Sequence, residues 1–592
     1  MGHARHAGAD AAAGRVHAGH HGPARPVSAP YRARGYATRH AAAATHHLAA
    51  QAAGRVLDAG GNAVDAGVAG GLVLNVVQGE FCHFAGVAPI IVWPPGDAAP
   101  SVIAGVGPWP RRADAEVFRR AHGGRIPEGV LRTVVPAAPD AWITALARFG
   151  TMSFGEVASQ AIAYARDGFR ATELFCEVVR EFEAGFRASP GSAAVFLPEG
   201  RLPRPGELIR MTELAATLEF LAGEERAAAA RGRVAALQAA RDAFYRGDIA
   251  ARIAAFYAEQ GGWLARADLA GFAVPVESAA SARAFGTDVH MCGAWSQGPV
   301  LGMALVNAAP LLPPGRGLSD PEAVHAMAES YALAFSDRHA SFGDPDFVAV
   351  PLDRLLDPAY GAARARLVQP DRAFGDMPPA GVAAPIQRPA AAARWTEPEL
   401  DTAFICTVDR HGGLFAATPS DGCFAGPMVP GTGLCPSSRG SQSWTDPAHP
   451  ACLGPGRRPR LTTSPAMARL PDGRRMAFGT PGDDVQPQAM GQVLLRIVRE
   501  GMPAQDAVEA PRFATMSFPR SSDPHEHFPG RVAIEARYGE AVLGWMRDAG
   551  HRVAPWAEWD WRAGSVGVAI TDAAGRIEAA ADPRRPSGVS AR

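Results

Sequence analysis

The pair Asp401-Thr402 stands at the head of an apolar run, in the stretch ELDTAFICTVD over residues 399–409. A threonine hydroxyl is a weak nucleophile unless a base lies beside it, and the α-amine of the same residue can serve once it becomes a chain terminus. That chemistry needs a cut before Thr402, a movable segment upstream and a rigid strand behind. The sequence offers these features in order, although an Asp-Thr pair is also common at ordinary strand entries.

Other motifs of catalysis and metal binding are weaker. G-x-S-x-G, H-E-x-x-H and G-x-G-x-x-G are absent from the sequence. The histidines of HEH (525–527) are neighbours that share no helix face, and GDD (482–484) is typical of a solvated turn. The absence of lysine excludes a lysine Schiff base with pyridoxal phosphate and a lysine-bearing phosphate loop. We therefore expect no cofactor and no metal.

Composition limits the class of partner. The chain has 592 residues, a formal net charge of −1 and seven widely spaced cysteines. Near-neutral charge indicates neither nucleic acid nor an anionic membrane surface as partner. Because the sequence shows neither an apolar secretory segment nor an apolar run of membrane-spanning length, we expect a cytoplasmic protein with reduced, buried cysteines.

The hydrophobic pattern divides the chain into a tail and two structured parts. Residues 1–35 predict a disordered tail rich in His, Arg and Ala, and residues 138–370 predict a mostly helical region. A helix capped by Asn62 is expected near the start. Residues 373–400 are rich in Pro and Ala and predict a mobile linker, after which TAFICTVD, RHGG and LFAAT predict a hairpin in a β-rich part.

Several segments, spread in order over residues 36–586, resemble the γ-glutamyltransferase family of self-cleaving N-terminal-nucleophile hydrolases. They are HHLAAQAAGRVLDAGGNAVDA (46–66), FGTMSFGEVASQAIAYARDGF (149–169), DAFYRGDIAARIA (242–254), GGWLARADLAGF (261–272), FSDRHASFGDPDFVAVP (335–351), DTAFICTVD, VPGTG (429–433), RRPRLTTSP (457–465), FGTPGDD (478–484) and ADPRRPSG (581–588). A single short motif would mean little, whereas this ordered set is specific.

The resemblance implies a proenzyme that cuts itself between Asp401 and Thr402. Residues 36–401 would form the large subunit and residues 402–592 the small subunit, held together as a heterodimer. The implied fold is α/β (α+β), a four-layer αββα sandwich of the Ntn-hydrolase superfamily to which both fragments contribute strands. Residue pattern alone predicts only an α/β chain with a β-rich C-terminal part.

The resemblance also assigns catalytic roles. Thr402 would be the nucleophile and its α-amine the base, and Ser420 would supply a second hydroxyl that bonds the nucleophile. Gly482 and Asp483 would supply the backbone N–H groups of an oxyanion hole, where the family has two glycines. Asp483 would place a carboxylate beside a developing negative charge, which departs from the usual design.

The residues expected to contact substrate differ from those of true γ-glutamyl enzymes. Val106 stands where the family has an arginine for the α-carboxylate, and Ser441 or Gln442 stands where it has an aspartate for the α-ammonium. Arg439 and Thr462 are further expected substrate contacts. Charged hydrogen bonds of this kind contribute about 1.5–3 kcal/mol each, so their loss disfavours a glutamyl substrate.

Three hypotheses follow. The leading one is a Thr-nucleophile amidohydrolase or acylase, similar to the acylase branch of the family, acting on a small-molecule amide whose acyl group is small and could be anionic. The second is a γ-glutamyltransferase or glutathione hydrolase with a rearranged glutamyl site. The third is a non-catalytic member that keeps only the fold.

Overall fold

The computed structural model describes residues 31–382, 386, 389–393 and 401–592. Residues 1–30 of the expected tail, and residues 383–385, 387–388 and 394–400 of the expected linker, lie outside the described residues. The described start of the chain is attached to the C-terminal part, because Arg32 donates a hydrogen bond to the carbonyl of Ser587 at 2.7 Å. No helix in the described residues is long and apolar enough to cross a bilayer.

The described helices lie mostly before residue 370 and after residue 485. They are α1 (His47–Asp58), α2 (Ala63–Val77), α3 (Ala115–His122), α4 (Ala138–Phe149), α5 (Phe154–Asp167), α6 (Glu173–Glu181), α7 (Glu183–Ala188), α8 (Pro190–Phe196), α9 (Thr212–Ala227), α10 (Arg233–Tyr245), α11 (Asp248–Glu259), α12 (Arg266–Ala270), α13 (Gly298–Ala308), α14 (Pro321–Ser341), α15 (Leu352–Leu355), α16 (Pro358–Ala365), α17 (Gln486–Arg499), α18 (Ala504–Glu509) and α19 (Glu540–Asp548). Asn62 caps α2 through a capping box, as the sequence predicts.

The strands form two seven-stranded sheets and two small ones. They are β1 (Gly35–Ala37), β2 (Ala41–Ala44), β3 (Ile90–Trp93), β4 (Ser101–Ile103), β5 (Phe169–Arg170), β6 (Leu208–Ile209), β7 (Val276–Ser278), β8 (Ala280–Ala284), β9 (Thr287–Met291), β10 (Ile405–Val408), β11 (Leu414–Ala417), β12 (Ala466–Arg469), β13 (Arg475–Gly479), β14 (Phe513–Thr515), β15 (Arg531–Glu535), β16 (Arg552–Trp556), β17 (Gly567–Thr571), β18 (Ile577–Ala581) and β19 (Gly588–Ala591).

The two large sheets each combine strands from both sides of residue 401. Sheet I has the order β1-β18-β17-β13-β12-β9-β8, and sheet II has the order β19-β2-β10-β11-β3-β4-β7. Every strand pair within them is antiparallel, and the predicted hairpin is confirmed by β10 and β11, in which Ile405 pairs with Ala417. Neither half of the chain could complete a sheet alone.

Four layers result from the way the sheets and helices bury their faces. Side chains of both sheets, including Cys406 of sheet II and Met467 of sheet I, share one apolar cluster between them. Helices α1, α2, α4 and α5 cover the outer face of sheet II, and α13, α14 and α17 cover the outer face of sheet I. Because β10 is buried on both faces, its apolar run is continuous. The structure confirms the predicted αββα sandwich.

The mostly helical region also contains the strands β5 to β9, which the hydrophobic pattern did not reveal. Strands β7 and β8 are edge strands with partly exposed polar residues, so they carry little hydrophobic signal. At the start of the expected linker, Gly381 donates a hydrogen bond to Asp337 of α14 at 2.7 Å.

Candidate functional site

Thr402 is buried just before β10, and its backbone is held on both sides. Its N–H donates to the carbonyl of Phe81 at 2.8 Å, and its own carbonyl accepts from the Arg585 guanidinium at 2.9 Å. The φ angle of Thr402 is 107°, in the left-handed region that a β-branched residue rarely adopts. Such a conformation costs on the order of 1–3 kcal/mol and persists only where surrounding contacts impose it.

The hydroxyl of Thr402 faces the hydroxyl expected from the sequence. Thr402 Oγ1 and Ser420 Oγ lie 2.7 Å apart, and Ser420 also donates to the carboxylate of Asp401 at 3.1 Å. The Ser420 N–H is bonded to the carbonyl of Val87 at 3.0 Å, which fixes this segment beside the strand entry. The residue before the proposed cut therefore shares one hydrogen-bonded group with both hydroxyls.

Arg439 organises this group. Its guanidinium donates to Asp401 at 2.5 Å and also to Ser420, and it lies 3.3 Å from Asp421. Asp421 in turn accepts from Ser437 Oγ at 2.7 Å. Sequence reasoning did not identify Asp421 or the Arg439–Asp401 pair, and no local pattern could have revealed contacts across 38 residues of chain. The substrate role of Arg439 stays a prediction.

The expected oxyanion loop has an unusual backbone conformation. Gly482 and Asp483 have φ angles of 121° and 49°, and among the described residues neither N–H has a hydrogen-bond acceptor. Burial, followed by the neighbouring Asp484 charge, raises the pKa of the Asp483 carboxyl to about 8. The carboxyl is thus neutral at pH 7, which reduces the conflict with a developing negative charge.

The expected substrate residues Gln442 and Thr462 bond each other. The Gln442 amide donates to Thr462 Oγ1 at 2.9 Å and accepts from the Thr462 N–H at 3.0 Å. Gln297, which the sequence did not single out, donates through one nitrogen to the carbonyls of Thr462 at 2.9 Å and Asp483 at 2.8 Å. It therefore joins the expected substrate segment to the expected oxyanion loop.

The other two expected substrate residues are also buried. Ser441 accepts a hydrogen bond from the Asp523 N–H on its carbonyl at 2.7 Å. Val106 belongs to the apolar cluster between the sheets and borders a cavity of about 250 Å³ that Arg111 and Arg458 also line. An apolar side chain in this environment offers no charged contact to a glutamyl head group.

Two groups of side chains in the described residues have the composition of a metal site. One is His83, Cys423 and Cys435, and the other is His325, Glu329 and His551. In the second group, His325 Nδ1 and His551 Nε2 lie 2.8 Å apart and bond each other. Neither group includes Thr402 or its hydrogen-bond partners, and the ring nitrogens of His525 each lie 3.0 Å from a backbone carbonyl oxygen.

Known proteins are similar in sequence to this chain over most of their length. Acylase ACY 1 proenzyme of Pseudomonas sp. (strain SE83) is 28% identical over 435 residues, 72% of this chain and 69% of that protein. Oxamate amidohydrolase proenzyme of Klebsiella pneumoniae subsp. pneumoniae is 28% identical over 512 residues, 84% of this chain and 87% of that protein.

Comparison with solved structures also shows similarity to an acylase. The crystal structure of cephalosporin acylase from Bacillus halodurans is 25% identical and superimposes with a TM-score of 0.80, covering 96% of this chain and 99% of that one. The family model of gamma-glutamyltranspeptidase matches residues 49–592, which include both large sheets from β3 onward and the whole Thr402 site. The chain therefore belongs to the gamma-glutamyltranspeptidase family of enzymes that act on amide bonds.

Proposed function

We propose that this chain is a self-processing amidohydrolase of the acylase type, with Thr402 as nucleophile. The observation that carries the proposal is the 2.7 Å contact between the Thr402 and Ser420 hydroxyls, next to a carboxylate fixed by Arg439. Hydroxyls become effective nucleophiles when a base and an orienting partner are both in reach. After cleavage, the free α-amine of Thr402 would be that base.

Self-cleavage would begin with attack of Thr402 Oγ on the carbonyl carbon of Asp401. The C–N bond breaks, the hydroxyl proton passes to the departing nitrogen, and an ester replaces the amide. Water then hydrolyses the ester, which leaves a carboxylate on Asp401, a hydroxyl on Thr402 and a free α-amine. The positive φ of Thr402 supports this step, because breaking the bond releases the conformational strain.

Hydrolysis of a substrate amide would repeat this chemistry. The α-amine accepts the Thr402 hydroxyl proton while Oγ attacks the substrate carbonyl, and the leaving amine takes a proton as the acyl-enzyme forms. Water releases the acid in the second half. The N–H groups of Gly482 and Asp483, which have no acceptor among the described residues, are suitable donors for the tetrahedral oxyanion.

The acylase type is favoured over glutamyl transfer by the chemistry of the substrate positions. Val106 is buried and apolar, and Gln442 is an uncharged amide already bonded to Thr462. Relatives that bear the names acylase and amidohydrolase point the same way. Because both halves of the chain contribute strands to each large sheet, we expect the cleaved fragments to stay together as a heterodimer.

A panel of chromogenic anilides tests this function. Cleaved enzyme is expected to release the chromophore from acyl anilides at least 10-fold faster than from a γ-glutamyl anilide, and Thr402→Ala is expected to be inactive on all of them. A preference for the γ-glutamyl anilide would instead support a glutamyl enzyme. Amide hydrolysis by Thr402→Ala would show that another residue is the nucleophile.

A further inference from the structure

His325, Glu329 and His551 form a buried group of metal-binding side chains outside the Thr402 site. His325 and Glu329 lie one turn apart on α14, so both project from the same face of that helix. His551 lies between α19 and β16 and is 226 residues from His325. Each residue offers one nitrogen or oxygen ligand atom within 4.8 Å of the other two. Three side chains of metal-binding types thus converge from separate parts of the chain.

The ring of His325 is already oriented as a ligand. Its Nε2 lies 2.7 Å from the carbonyl oxygen of Gln369, and because a carbonyl can only accept, this nitrogen carries the proton. In a neutral ring the lone pair is then on Nδ1, which lies 2.8 Å from His551 Nε2. Histidines that bind metals commonly donate their other N–H to a backbone carbonyl in this way.

Glu329 brings a buried carboxyl group that no arginine balances. One of its oxygens accepts from the Phe374 N–H at 3.2 Å, and the other lies 3.7 Å from His551 Nδ1. No arginine of the described residues lies within 4.0 Å of this carboxyl group. Buried carboxylates are normally paired with a cation or bound to a metal ion. A divalent cation between Glu329 and the two rings would therefore complete the group.

A zinc ion suits these donors. Two imidazole nitrogens and one carboxylate oxygen are ligands that zinc accepts in tetrahedral sites, and they leave the fourth position for a water molecule. With Zn–N bonds of about 2.0–2.1 Å, the two nitrogens would lie about 3.3 Å apart, so the rings need to separate by about 0.5 Å. For His551 Nε2 to bind, its proton moves to Nδ1 of the same ring, on the side of Glu329.

The group joins the two sides of the proposed cut. His325 and Glu329 belong to the larger expected fragment and His551 to the smaller one. The expected linker starts beside them, because the Ala373 N–H donates to the carbonyl of Ala549 at 2.7 Å. An ion at this position would fix the start of the linker and connect both fragments.

We infer that His325, Glu329 and His551 bind one zinc ion that links the two fragments of the processed protein. The binding of the ion does not depend on the proposed amidohydrolase function, whereas its linking role rests on the proposed cut. The ion has a structural role, since its ligands include neither Thr402 nor the Ser420 hydroxyl that faces it.

Calorimetric titration with zinc chloride tests the site on wild-type protein that has been freed of metals with a chelator. One tight site per chain is expected. His551→Gln should weaken binding by about 100-fold or more, since even the outer hydrogen-bond partners of metal ligands contribute about 10- to 100-fold to affinity. His551→Cys keeps a zinc ligand and should bind about 10-fold more tightly than His551→Gln. A wild-type protein without a tight site, or equal binding by His551→Gln and wild type, would overturn the inference.

His83→Gln is the matched control. His83, Cys423 and Cys435 form the other group in the described residues that has the composition of a metal site, so this variant removes a buried histidine from the competing position. It should retain the tight site. Loss of zinc binding in His83→Gln instead of His551→Gln would move the ion to that group and contradict the inference. Histidines of the expected tail remain in every variant and cannot cause a difference between them: His3, His6, His17, His20 and His21.

Urea titration of the cleaved protein, followed by gel filtration, measures the linking role. With zinc, the two wild-type fragments are expected to stay together to a higher urea concentration than with EDTA, because a ligand that binds the joined state stabilises it. His551→Gln should show no such difference. If zinc binds but does not shift the separation of the fragments, the linking role is wrong.

Uncut Thr402→Ala separates this inference from the function proposed above. It should bind zinc as tightly as wild type, because residue 402 is not among the ligands. If both proteins bind zinc but wild type is never cut, the self-processing proposal fails while the zinc site stands. If wild type is cut but neither protein binds zinc, the zinc site is wrong and the self-processing proposal stands.

Discussion

The Arg439 guanidinium donates to the Asp401 carboxylate at 2.5 Å and lies 3.3 Å from Asp421. The Arg439 side chain thus links Asp401, the residue before the proposed cut, to Asp421, which follows Ser420. The arrangement fixes the Asp401 carboxylate, and with it the position of the carbonyl that Thr402 Oγ would attack. We therefore expect the geometry of the bond proposed to be cut to depend on this pair.

Replacing Arg439 by Met is therefore expected to slow self-cleavage strongly. The change leaves Asp401 and Asp421 buried without their cation, and breaking a buried pair costs about 3–5 kcal/mol. Time-resolved gel analysis of the freshly purified chain measures the cut fraction. Arg241→Met is the control, because it breaks another buried pair, with Asp140 at 2.7 Å, and should lower stability without slowing the cut. Equal cleavage rates in Arg439→Met and wild type would contradict this role.

Ser420→Ala is expected to lower the rate of amide hydrolysis about 2- to 10-fold, the effect of losing one hydrogen bond. Ser420→Thr keeps the hydroxyl that faces Thr402 at 2.7 Å and should retain at least a third of the wild-type rate. Steady-state kinetics on one acyl anilide compares the two variants. If Ser420→Thr lowered the rate of amide hydrolysis as much as Ser420→Ala, the hydroxyl of residue 420 would not be what supports catalysis.

Asp483 is expected to give the enzyme an alkaline limb in its pH–rate profile. Burial and the neighbouring Asp484 raise its pKa to about 8. The carboxyl is therefore neutral below that pH, whereas above that pH it carries a negative charge that repels the oxyanion. The rate should fall as pH rises through about 8, and Asp483→Asn should remove that fall. An unchanged limb in the Asn variant would assign it to another group.

The same raised pKa predicts a change in folding stability. Because the folded-state pKa of Asp483 is above the unfolded value of about 3.9, the folded state binds the proton more tightly. This contribution to stability is full below about pH 4 and is lost as pH rises to about 8. Denaturant titrations at several pH values should show a smaller decrease in the free energy of unfolding for Asp483→Asn than for wild type.

The strain at Thr402 can be measured in uncut variants. At φ 107° glycine is tolerated and alanine is not, so Thr402→Gly should be more stable than Thr402→Ala by about 1 kcal/mol. At Thr407, in the middle of β10, the same pair of substitutions should have the opposite order, because glycine weakens a regular strand. Denaturant midpoints measure the stability of the four variants. If the Gly and Ala variants ranked in the same order at positions 402 and 407, that result would argue against strain at Thr402.

Local patterns in the sequence predicted local structure well. The Asn62 cap and the β10–β11 hairpin are confirmed because capping residues and apolar runs act within a few residues. Strands β7 and β8 were missed because edge strands need no continuous apolar run. The partners of Asp401 lie on segments that meet only in the folded chain, so residue spacing could not reveal them.

Intact-mass and N-terminal analysis of the purified protein tests the central claim most directly. Wild-type protein is expected to yield two fragments that copurify, the smaller one beginning with Thr402 and ending at Arg592, while Thr402→Ala remains a single chain. A wild-type chain of 592 residues that stays uncut after prolonged incubation, or one cut before a different residue, would contradict the assignment of Thr402 as the nucleophile.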